Sequence, residues 1–188
     1  MELKSVTDRI NYISGNCNIG IIKSEKGCVI IDSGVDEDSA KRIIKILEEN
    51  NLLPLVAIIN THSHADHCGG NRYLKDKTKA RIYAPEIESA IITFPYLEPL
   101  YLFSGASPLK DLQNKFLMAQ PSEIDYVIKK EESKIVIEGL ELGIVPLPGH
   151  SPNQIGIGID FVLFCSDSIF STVILPGNSI IHAGNLTP

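Results

Sequence analysis

The chain has 188 residues, a formal net charge of −6 and 44% hydrophobic residues. This length fits one domain with a substantial core, and the ordinary composition excludes an intrinsically disordered chain. The acidic balance argues against nucleic acid as a partner, since phosphate backbones attract basic surfaces. No apolar run approaches the roughly 18 to 20 residues of a membrane span, so no membrane partner is expected.

The N-terminus and the cysteines predict a cytoplasmic protein. The first residues, MELKSVTDRINYIS, carry charges and no apolar block, so no secretory signal peptide is expected. The cysteines are scattered without a C-x-x-C pair, which is typical of free thiols in a reducing compartment. They are Cys17, Cys28, Cys68 and Cys165.

The first third of the chain predicts three strands and then a helix. The strands are INYISG (10–15), CNIGIIKS (17–24) and GCVIIDSG (27–34), each rich in β-branched residues and bounded by turn residues. Either Ser33 or Asp36 can cap the helix. Its apolar residues recur at helical spacing and are Ala40, Ile43, Ile44 and Leu47.

A second group of elements surrounds a histidine-rich loop. LVAIIN (55–60) is a strand with apolar residues on both faces, which indicates a sheet covered on both sides. The loop THSHADHCGG (61–70) follows it. A short helix over 71–76 and a strand over 80–85 come next, and the mixed segment 86–120 is predicted to be largely helical.

The last part of the chain predicts short strands and contains no common nucleotide-binding loop. The strands are expected at 124–128, 134–138, 140–147, 153–159 and 161–165. The order of strands, helix, strand, helix and further strands indicates a layered α/β domain rather than a Rossmann repeat. The motifs GxGxxG and GxxxxGK[ST] are absent from the sequence.

The histidine-rich loop contains the motif H-x-H-x-D-H, formed by His62, His64, Asp66 and His67. Side chains two residues apart in an extended segment point the same way, so the first two histidines can hold one cation between them. Asp66 and His67 lie where the chain turns and can face a second point nearby. Imidazole and carboxylate groups suit Zn²⁺, Fe or Mn rather than Ca²⁺.

Two further strand ends supply residues of the same chemical type. His150 follows the turn at Pro148 and Gly149, and Asp167 comes directly after an apolar strand. One aspartate in such a position is weak evidence by itself. In a chain that already has the H-x-H-x-D-H loop, both residues become candidate metal ligands.

These segments resemble the metallo-β-lactamase-fold hydrolase superfamily, and within it the glyoxalase II branch. The segments that carry the resemblance are VIIDSG (29–34), THSHADHCGG (61–70), PLPGHSPNQIG (146–156) and FCSDSIF (164–170). The resemblance implies one domain over residues 1–188, folded as a four-layer αββα sandwich of the α/β class. The metals would lie at one edge of the two sheets.

The resemblance also implies a role for each candidate residue. The first metal would be held by His62, His64 and His150, the second by Asp66 and His67, and Asp167 would bridge them. Asp32 would support the site through hydrogen bonds without touching a metal. Zinc in two sites is the expected cofactor, with iron or manganese as alternatives.

The sequence departs from the family after Asp167. Members with two metals supply one more histidine well beyond the bridging aspartate, whereas 21 residues follow Asp167 here. We therefore expect the domain to be missing or altered after about residue 170, with an incomplete second half. Whether His182 replaces the last ligand stays open.

The implied activity is hydrolysis of a small ester, thioester or lactone by a metal-bound hydroxide, with Asp66 orienting the nucleophile or accepting a proton. Two alternatives stay open. One is a metal-binding module without hydrolase activity. The other is an iron oxygenase of the same fold that holds one iron on His62, His64 and His150.

The segment 86–120 holds five of the chain's Phe and Tyr residues and three prolines. One interpretation is a helix packed on the sheet, followed by an irregular connection. The other is a lid or pocket wall for an apolar acyl group, or a contact between the subunits of a homodimer.

Overall fold

The structure is a computed structural model that describes residues 1–169 and the backbone of a short strand at 180–182. It contains two sheets packed face to face. The strands of the first sheet are, in spatial order, β1 (Glu2–Ser5), β2 (Ile10–Ser14), β3 (Ile19–Ser24), β4 (Gly27–Ile31), β5 (Leu55–Ile59), β6 (Arg81–Pro85) and β7 (Tyr126–Ile128). The strands of the second sheet are, in spatial order, β8 (Lys134–Ile137), β9 (Leu140–Pro146), β10 (Ile155–Ile159), β11 (Val162–Phe164) and β12 (Ile180–His182).

The helices lie mostly in the connections of the first sheet. They are α1 (Glu37–Glu49), α2 (Ala65–Cys68), α3 (Asn71–Thr78), α4 (Glu86–Thr93) and α5 (Leu97–Leu102). Single 3₁₀ turns occur at Lys110–Leu112 and Ser166–Ser168. None of the helices in the described ranges has the length and apolar character needed to span a bilayer.

The strand directions of the first sheet bring several loops to one edge. Strands β1 to β4 pair antiparallel, and β4, β5, β6 and β7 pair parallel. The carboxyl ends of parallel strands meet at the same edge of a sheet, where α/β proteins commonly place their sites. The segments that follow β4, β5 and β6 therefore start side by side.

The second sheet is antiparallel and packs its isoleucine-rich face against the first. On β10, Ile155, Ile157 and Ile159 are buried between the sheets and alternate with Gly156 and Gly158. This alternation is the period of two that one buried sheet face requires.

Helices α1 and α3 cover the other face of the first sheet. The α1 residues Ala40, Ile43 and Leu47 are fully buried there, as their helical spacing predicted. Asp36 caps the helix, since its carboxylate accepts a hydrogen bond of 3.0 Å from the Ser39 backbone N–H. Of the two predicted caps, the structure selects Asp36.

The predicted α/β class of the metallo-β-lactamase type is confirmed, and the described residues supply three layers: helices, sheet, sheet. Among the described residues, α1 and α3 contribute to the cluster on the first sheet, whereas the cluster between the sheets contains strand residues and no helix residue. The change of fold expected after about residue 170 lies outside the described residues, apart from the backbone of β12, which pairs antiparallel with β11.

Two parts of the chain differ from their predicted structure. Strand β1 was not predicted, because Glu2–Ser5 lies at the sheet edge with mostly exposed residues and shows no alternation of apolar and polar positions. The segment predicted to be largely helical is helical only in α4, α5 and one 3₁₀ turn. The remainder contains prolines and Gly105, which interrupt helices.

Candidate metal centre

The connection after β5 places the H-x-H-x-D-H residues at the edge of the first sheet. His62 and His64 lie in the bend between β5 and α2, while Asp66 and His67 belong to the single turn of α2. Gly70 ends this connection against another loop, where an added Cβ would lie 2.2 Å from the Ser33 carbonyl oxygen. So close an approach of two backbone segments requires a glycine at this position.

Three histidines form the first group of side chains. The ligand-capable atoms of His62, His64 and His150 all lie within 4.8 Å of one another. His150 Nε2 is 2.9 Å from His64 Nδ1. His62 Nε2 is buried and has no hydrogen-bond partner in the described residues. An orphaned, buried imidazole nitrogen beside two other imidazoles fits a cation ligand.

Asp167 connects this group to a second one. The ligand-capable atoms of His62, His67 and Asp167 also lie within 4.8 Å of one another. Asp167 Oδ2 is 3.4 Å from His67 Nε2 and 3.3 Å from His150 Nε2. One carboxylate oxygen therefore faces residues of both groups, as a bridging position requires.

Asp66 lies at the rim of the cluster. Its side chain is 49% exposed, and its Oδ2 is 3.5 Å from His67 Nε2. It belongs to neither of the two groups just described. The structure therefore brings together His62, His64, His67, His150 and Asp167, and leaves Asp66 beside them facing solvent.

Asp32 lies behind the histidines and is 1% exposed. Its Oδ2 is 2.8 Å from His67 Nδ1, and its carboxylate accepts hydrogen bonds from the Thr61 backbone N–H and hydroxyl. Because the Thr61 hydroxyl proton points to Asp32, Thr61 Oγ1 accepts from His62 Nδ1, 3.0 Å away. One carboxylate thus orients two rings, directly and through Thr61.

Burial and the neighbouring charges set the protonation of the cluster. Burial, together with the surrounding imidazoles, lowers the pKa of His62 well below its ordinary value and also lowers the pKa of His64. Burial raises the pKa of Asp167, but the hydrogen bond to His67 and the nearby imidazoles outweigh it and lower the pKa overall. At His62, His64 and Asp167 these shifts favour neutral imidazoles and an ionised carboxylate, the forms that bind metals. At His67 burial lowers the pKa of the imidazole, but the neighbouring Cys17, Asp32 and Asp167 outweigh it and raise this pKa well above its ordinary value.

Two buried glutamates near the centre were missed by the sequence analysis. Glu88 on α4 is fully buried and accepts hydrogen bonds from the Ser63 N–H, the Ser151 hydroxyl and the Asn153 N–H, at 2.6–2.9 Å. It thereby joins the loop of His64 to the loop of His150. A charged residue on the apolar face of α4 was the available signal.

Glu98 on α5 is the second missed glutamate. It is 3% exposed, and its Oε1 lies 3.4 Å from His64 Nε2. Burial, together with the nearby Glu88 carboxylate, raises the pKa of Glu98 to about 7. The available signal was one acidic residue inside the apolar stretch 94–103.

Cys17 also borders the cluster. Its Sγ is 3.6 Å from His67 Nδ1, and burial raises the pKa of this thiol. Cys17 is buried in the core, and its contact with the centre was not predicted from the sequence. The side chain of His182 and the residues around it lie outside the described residues, so the question of a last histidine ligand is not addressed by the structure.

The comparison with protein families agrees with this geometry. The model of the metallo-beta-lactamase superfamily matches residues 13–186. The chain belongs to this superfamily. The match covers the H-x-H-x-D-H loop, the His150 loop and Asp167, so the predicted family resemblance is confirmed.

Superfamily members with similar sequences include two bacterial hydrolases. "Probable metallo-hydrolase M6_Spy0554" of Streptococcus pyogenes is 29% identical over 171 residues, which are 90% of this chain and 66% of that protein. Hydroxyacylglutathione hydrolase of Vibrio campbellii is 28% identical over 151 residues, which are 80% of this chain and 46% of that protein. The chain thus spans about half to two thirds of the length of these relatives.

Superfamily members with solved structures share the fold. The subclass B3 metallo-beta-lactamase BJP-1 of Bradyrhizobium japonicum superposes with a TM-score of 0.70 at 22% identity, covering 89% of this chain and 58% of that one. FEZ-1 of Legionella gormanii gives a TM-score of 0.69 at 17% identity, covering 84% of this chain and 57% of that one. At these identities the likeness establishes the fold alone.

Proposed function

We propose that the chain is a metal-dependent hydrolase that cleaves a small ester, thioester or lactone. The observation that carries the proposal is the convergence of two groups of ligand-capable atoms that share His62 and are faced by one Asp167 oxygen. The name of the Vibrio relative adds support, because a hydroxyacylglutathione is a thioester.

The first proposed ligand set is the group of three histidines, and the second combines His67 of the other group with Asp66 at the rim. His62, His64 and His150 hold the first cation, His67 and Asp66 hold the second, and Asp167 lies between them. Zinc is the proposed metal, with iron and manganese as alternatives for the same donor atoms. Two bound divalent cations would supply a water of lowered pKa and stabilise negative charge on the substrate carbonyl oxygen.

The protein residues then perform the remaining tasks. Asp32 and Thr61 hold the rings of His67 and His62 in fixed orientations. Asp66, half-exposed at the rim, is placed to accept the proton of the attacking water and to pass it to solvent. Glu88 fixes the separation between the two loops that carry His64 and His150.

A neighbouring cavity is the proposed site for the apolar part of the substrate. It has a volume of about 400 Å³ and lies between the end of β9, the His150 loop and the start of α4. Ile87, Ile144 and three prolines of the His150 region line it, so its wall is mostly apolar. Acyl groups without charge fit such a wall best.

Metal content tests the proposal first. Protein purified without chelator is expected to contain about two zinc, iron or manganese ions per chain and to hydrolyse thioesters or lactones. Asp66→Asn should lower kcat by at least about 100-fold, the low end for a lost proton acceptor, while keeping the first cation. A single cation with no turnover of either substrate class would contradict the proposal and favour a module that binds metal without hydrolysis.

We also propose, from the sequence, a cytoplasmic location and a homodimer contact through the aromatic segment, residues 86–120. Within that segment Phe94, Tyr101 and Phe116 are each more than half exposed, which leaves an apolar surface available for a lid or a subunit contact.

A further inference from the structure

Helix α5 exposes two of its large apolar side chains and buries its one acidic side chain. Tyr101 and Leu102 are 59% and 50% exposed, whereas Glu98 of the same helix is 3% exposed. Burying a carboxylate is costly unless it gains a polar partner. The partner of Glu98 therefore explains why α5 takes this orientation.

His64 is the polar group that Glu98 meets. Glu98 Oε1 lies 3.4 Å from His64 Nε2, and the opposite ring nitrogen, Nδ1, is 2.9 Å from His150 Nε2. The nearby Glu88 carboxylate is already occupied by three hydrogen bonds from the two metal-site loops. Glu98 is thus the carboxylate left to accept from His64.

The same arrangement occurs at the other buried histidines of the centre. The Nδ1 atom of His67 faces Asp32 at 2.8 Å, and the Nδ1 atom of His62 faces the Thr61 hydroxyl at 3.0 Å. In each ring, one nitrogen meets an oxygen and the other faces the cluster. A ring nitrogen that donates its proton to an oxygen leaves the other nitrogen as the lone-pair donor.

We propose that Glu98 is a positioning residue for His64: its carboxylate accepts a hydrogen bond from His64 Nε2–H and keeps the lone pair on Nδ1, which faces His150. The inference deepens the proposed function, since it concerns one ligand of the proposed first cation. A residue of α5, outside the H-x-H-x-D-H loop, would then determine the tautomer of one histidine of that loop.

The tautomer of His64 can be measured directly in metal-free protein labelled with ¹⁵N-histidine. In the wild type we expect the His64 signals of an Nε2-protonated ring, assigned by their loss in His64→Gln. Glu98→Leu removes the acceptor and should shift the ring to a mixture of tautomers. Glu98→Gln keeps an amide oxygen that can accept the same proton, so it should retain the wild-type tautomer.

Affinity for zinc, measured by competition with a chromophoric chelator, gives a second readout. Loss of a carboxylate that orients a metal-bound histidine typically lowers metal affinity by about 10–100-fold, and we expect this range for Glu98→Leu. Glu98→Gln should keep most of the wild-type affinity, because its amide oxygen can accept the same hydrogen bond. Glu86→Gln, which removes an exposed carboxylate paired with Lys129, is the matched control and should change neither readout.

The outcomes separate this inference from the proposed function. An unchanged tautomer and an unchanged zinc affinity in Glu98→Leu would overturn the positioning role. Loss of stability in Glu98→Leu with both readouts intact would also overturn it, because Glu98 would then only anchor α5. Absence of hydrolysis in a wild type that shows the expected tautomer and zinc affinity would contradict the proposed function and leave Glu98 as a positioning residue.

Discussion

At the scale of single residues, one carboxylate supports both parts of the centre. Asp32 accepts from His67 Nδ1 directly and from Thr61, which in turn accepts from His62 Nδ1. Its backbone has a φ of 66°, in the left-handed region that asparagine and aspartate tolerate better than other non-glycine residues. The position thus demands both an unusual backbone and a buried acceptor.

Asp32→Asn is expected to weaken metal binding while preserving the backbone. The amide NH₂ would face a donor N–H of His67 or the Thr61 hydroxyl, so one buried donor loses its acceptor at a cost of about 1–3 kcal/mol. Metal affinity should fall by about 10–100-fold. Chelator competition and urea unfolding measure the two effects.

The matched control for this substitution is Asp160→Asn. Asp160 also has a left-handed backbone, with a φ of 53°, but it lies on the surface and pairs with Arg9. Its replacement should cost less than about 1 kcal/mol, as expected of an exposed ion pair, and should leave metal affinity unchanged. Equal losses of metal affinity in the two variants would contradict the role of Asp32 in orienting the histidines of the centre.

Residue-level reasoning could find the histidines and aspartates but not the glutamates. His62, His64 and His67 can be recognised from their spacing within one loop, because residues so close in sequence also lie close in space. Glu88 and Glu98 reach the centre only through the packing of α4 and α5. No local sequence pattern specifies such long-range contacts. The available signal was an acidic residue among apolar neighbours.

At the scale of elements, capping decides where α1 begins. Asp36 accepts from the Ser39 backbone N–H and hydroxyl, and its other oxygen is 3.3 Å from Lys115 Nζ of the aromatic segment. The helical spacing of apolar residues predicted this helix well, since the residues that recur at that spacing are the ones that face the sheet. The segment after α4 was predicted poorly, because prolines and exposed aromatic residues carry no regular period.

Asp36→Ala should destabilise the protein by about 1 kcal/mol, the usual cost of a lost cap. Asp36→Ser should restore most of that stability, because the serine hydroxyl can accept the same N–H. Thermal unfolding at neutral pH measures both variants. Metal affinity should not change in either, and a loss there would mean that α1 and the centre are coupled.

The cap also predicts a dependence on pH. The hydrogen bond from the Ser39 N–H, opposed in part by burial and helped by Lys115, lowers the pKa of Asp36 below its ordinary 3.8. The charged cap therefore contributes stability above pH 3.8, and this contribution is lost as the pH falls through the lower folded-state value. Wild type and Asp36→Ser should differ in the slope of stability against pH in this acid range alone.

At the scale of the whole molecule, one close contact between the two sheets depends on the absence of a side chain. An added Cβ at Gly20 of β3 would lie 2.5 Å from the Phe164 ring of β11. Phe164 ends the strand that leads to Asp167. The two-sheet architecture followed from the family resemblance, whereas this contact needed the structure, since nothing local pairs a glycine with a phenylalanine so distant in sequence.

Gly20→Ala is expected to destabilise the protein by about 1–3 kcal/mol, the usual cost of overpacking a core. It should also weaken binding of the proposed second cation, because displacement of Phe164 would move the segment that carries Asp167. Phe164→Leu, introduced together with Gly20→Ala, should recover part of the stability through a favourable coupling between neighbours. Urea unfolding and metal content measure these effects.

Gly143→Ala provides the control for that substitution. Gly143 also lies inside a strand, but the nearest atom to an added Cβ is 3.6 Å away. Alanine there should leave stability within about 0.5 kcal/mol, as for substitutions away from packed features. If both glycine variants behaved alike, the contact between Gly20 and Phe164 would not limit how the sheets pack.

The centre draws its residues from both sheets, and this has a consequence for the unfolded chain. His64 and His150 touch although 86 positions separate them in sequence. In the unfolded chain these residues are far apart, so a cation held by both would bind the folded state alone, and its binding free energy would add to the stability of the fold. Supply of the metal would then govern how long the protein survives in the cell, apart from any turnover it supports.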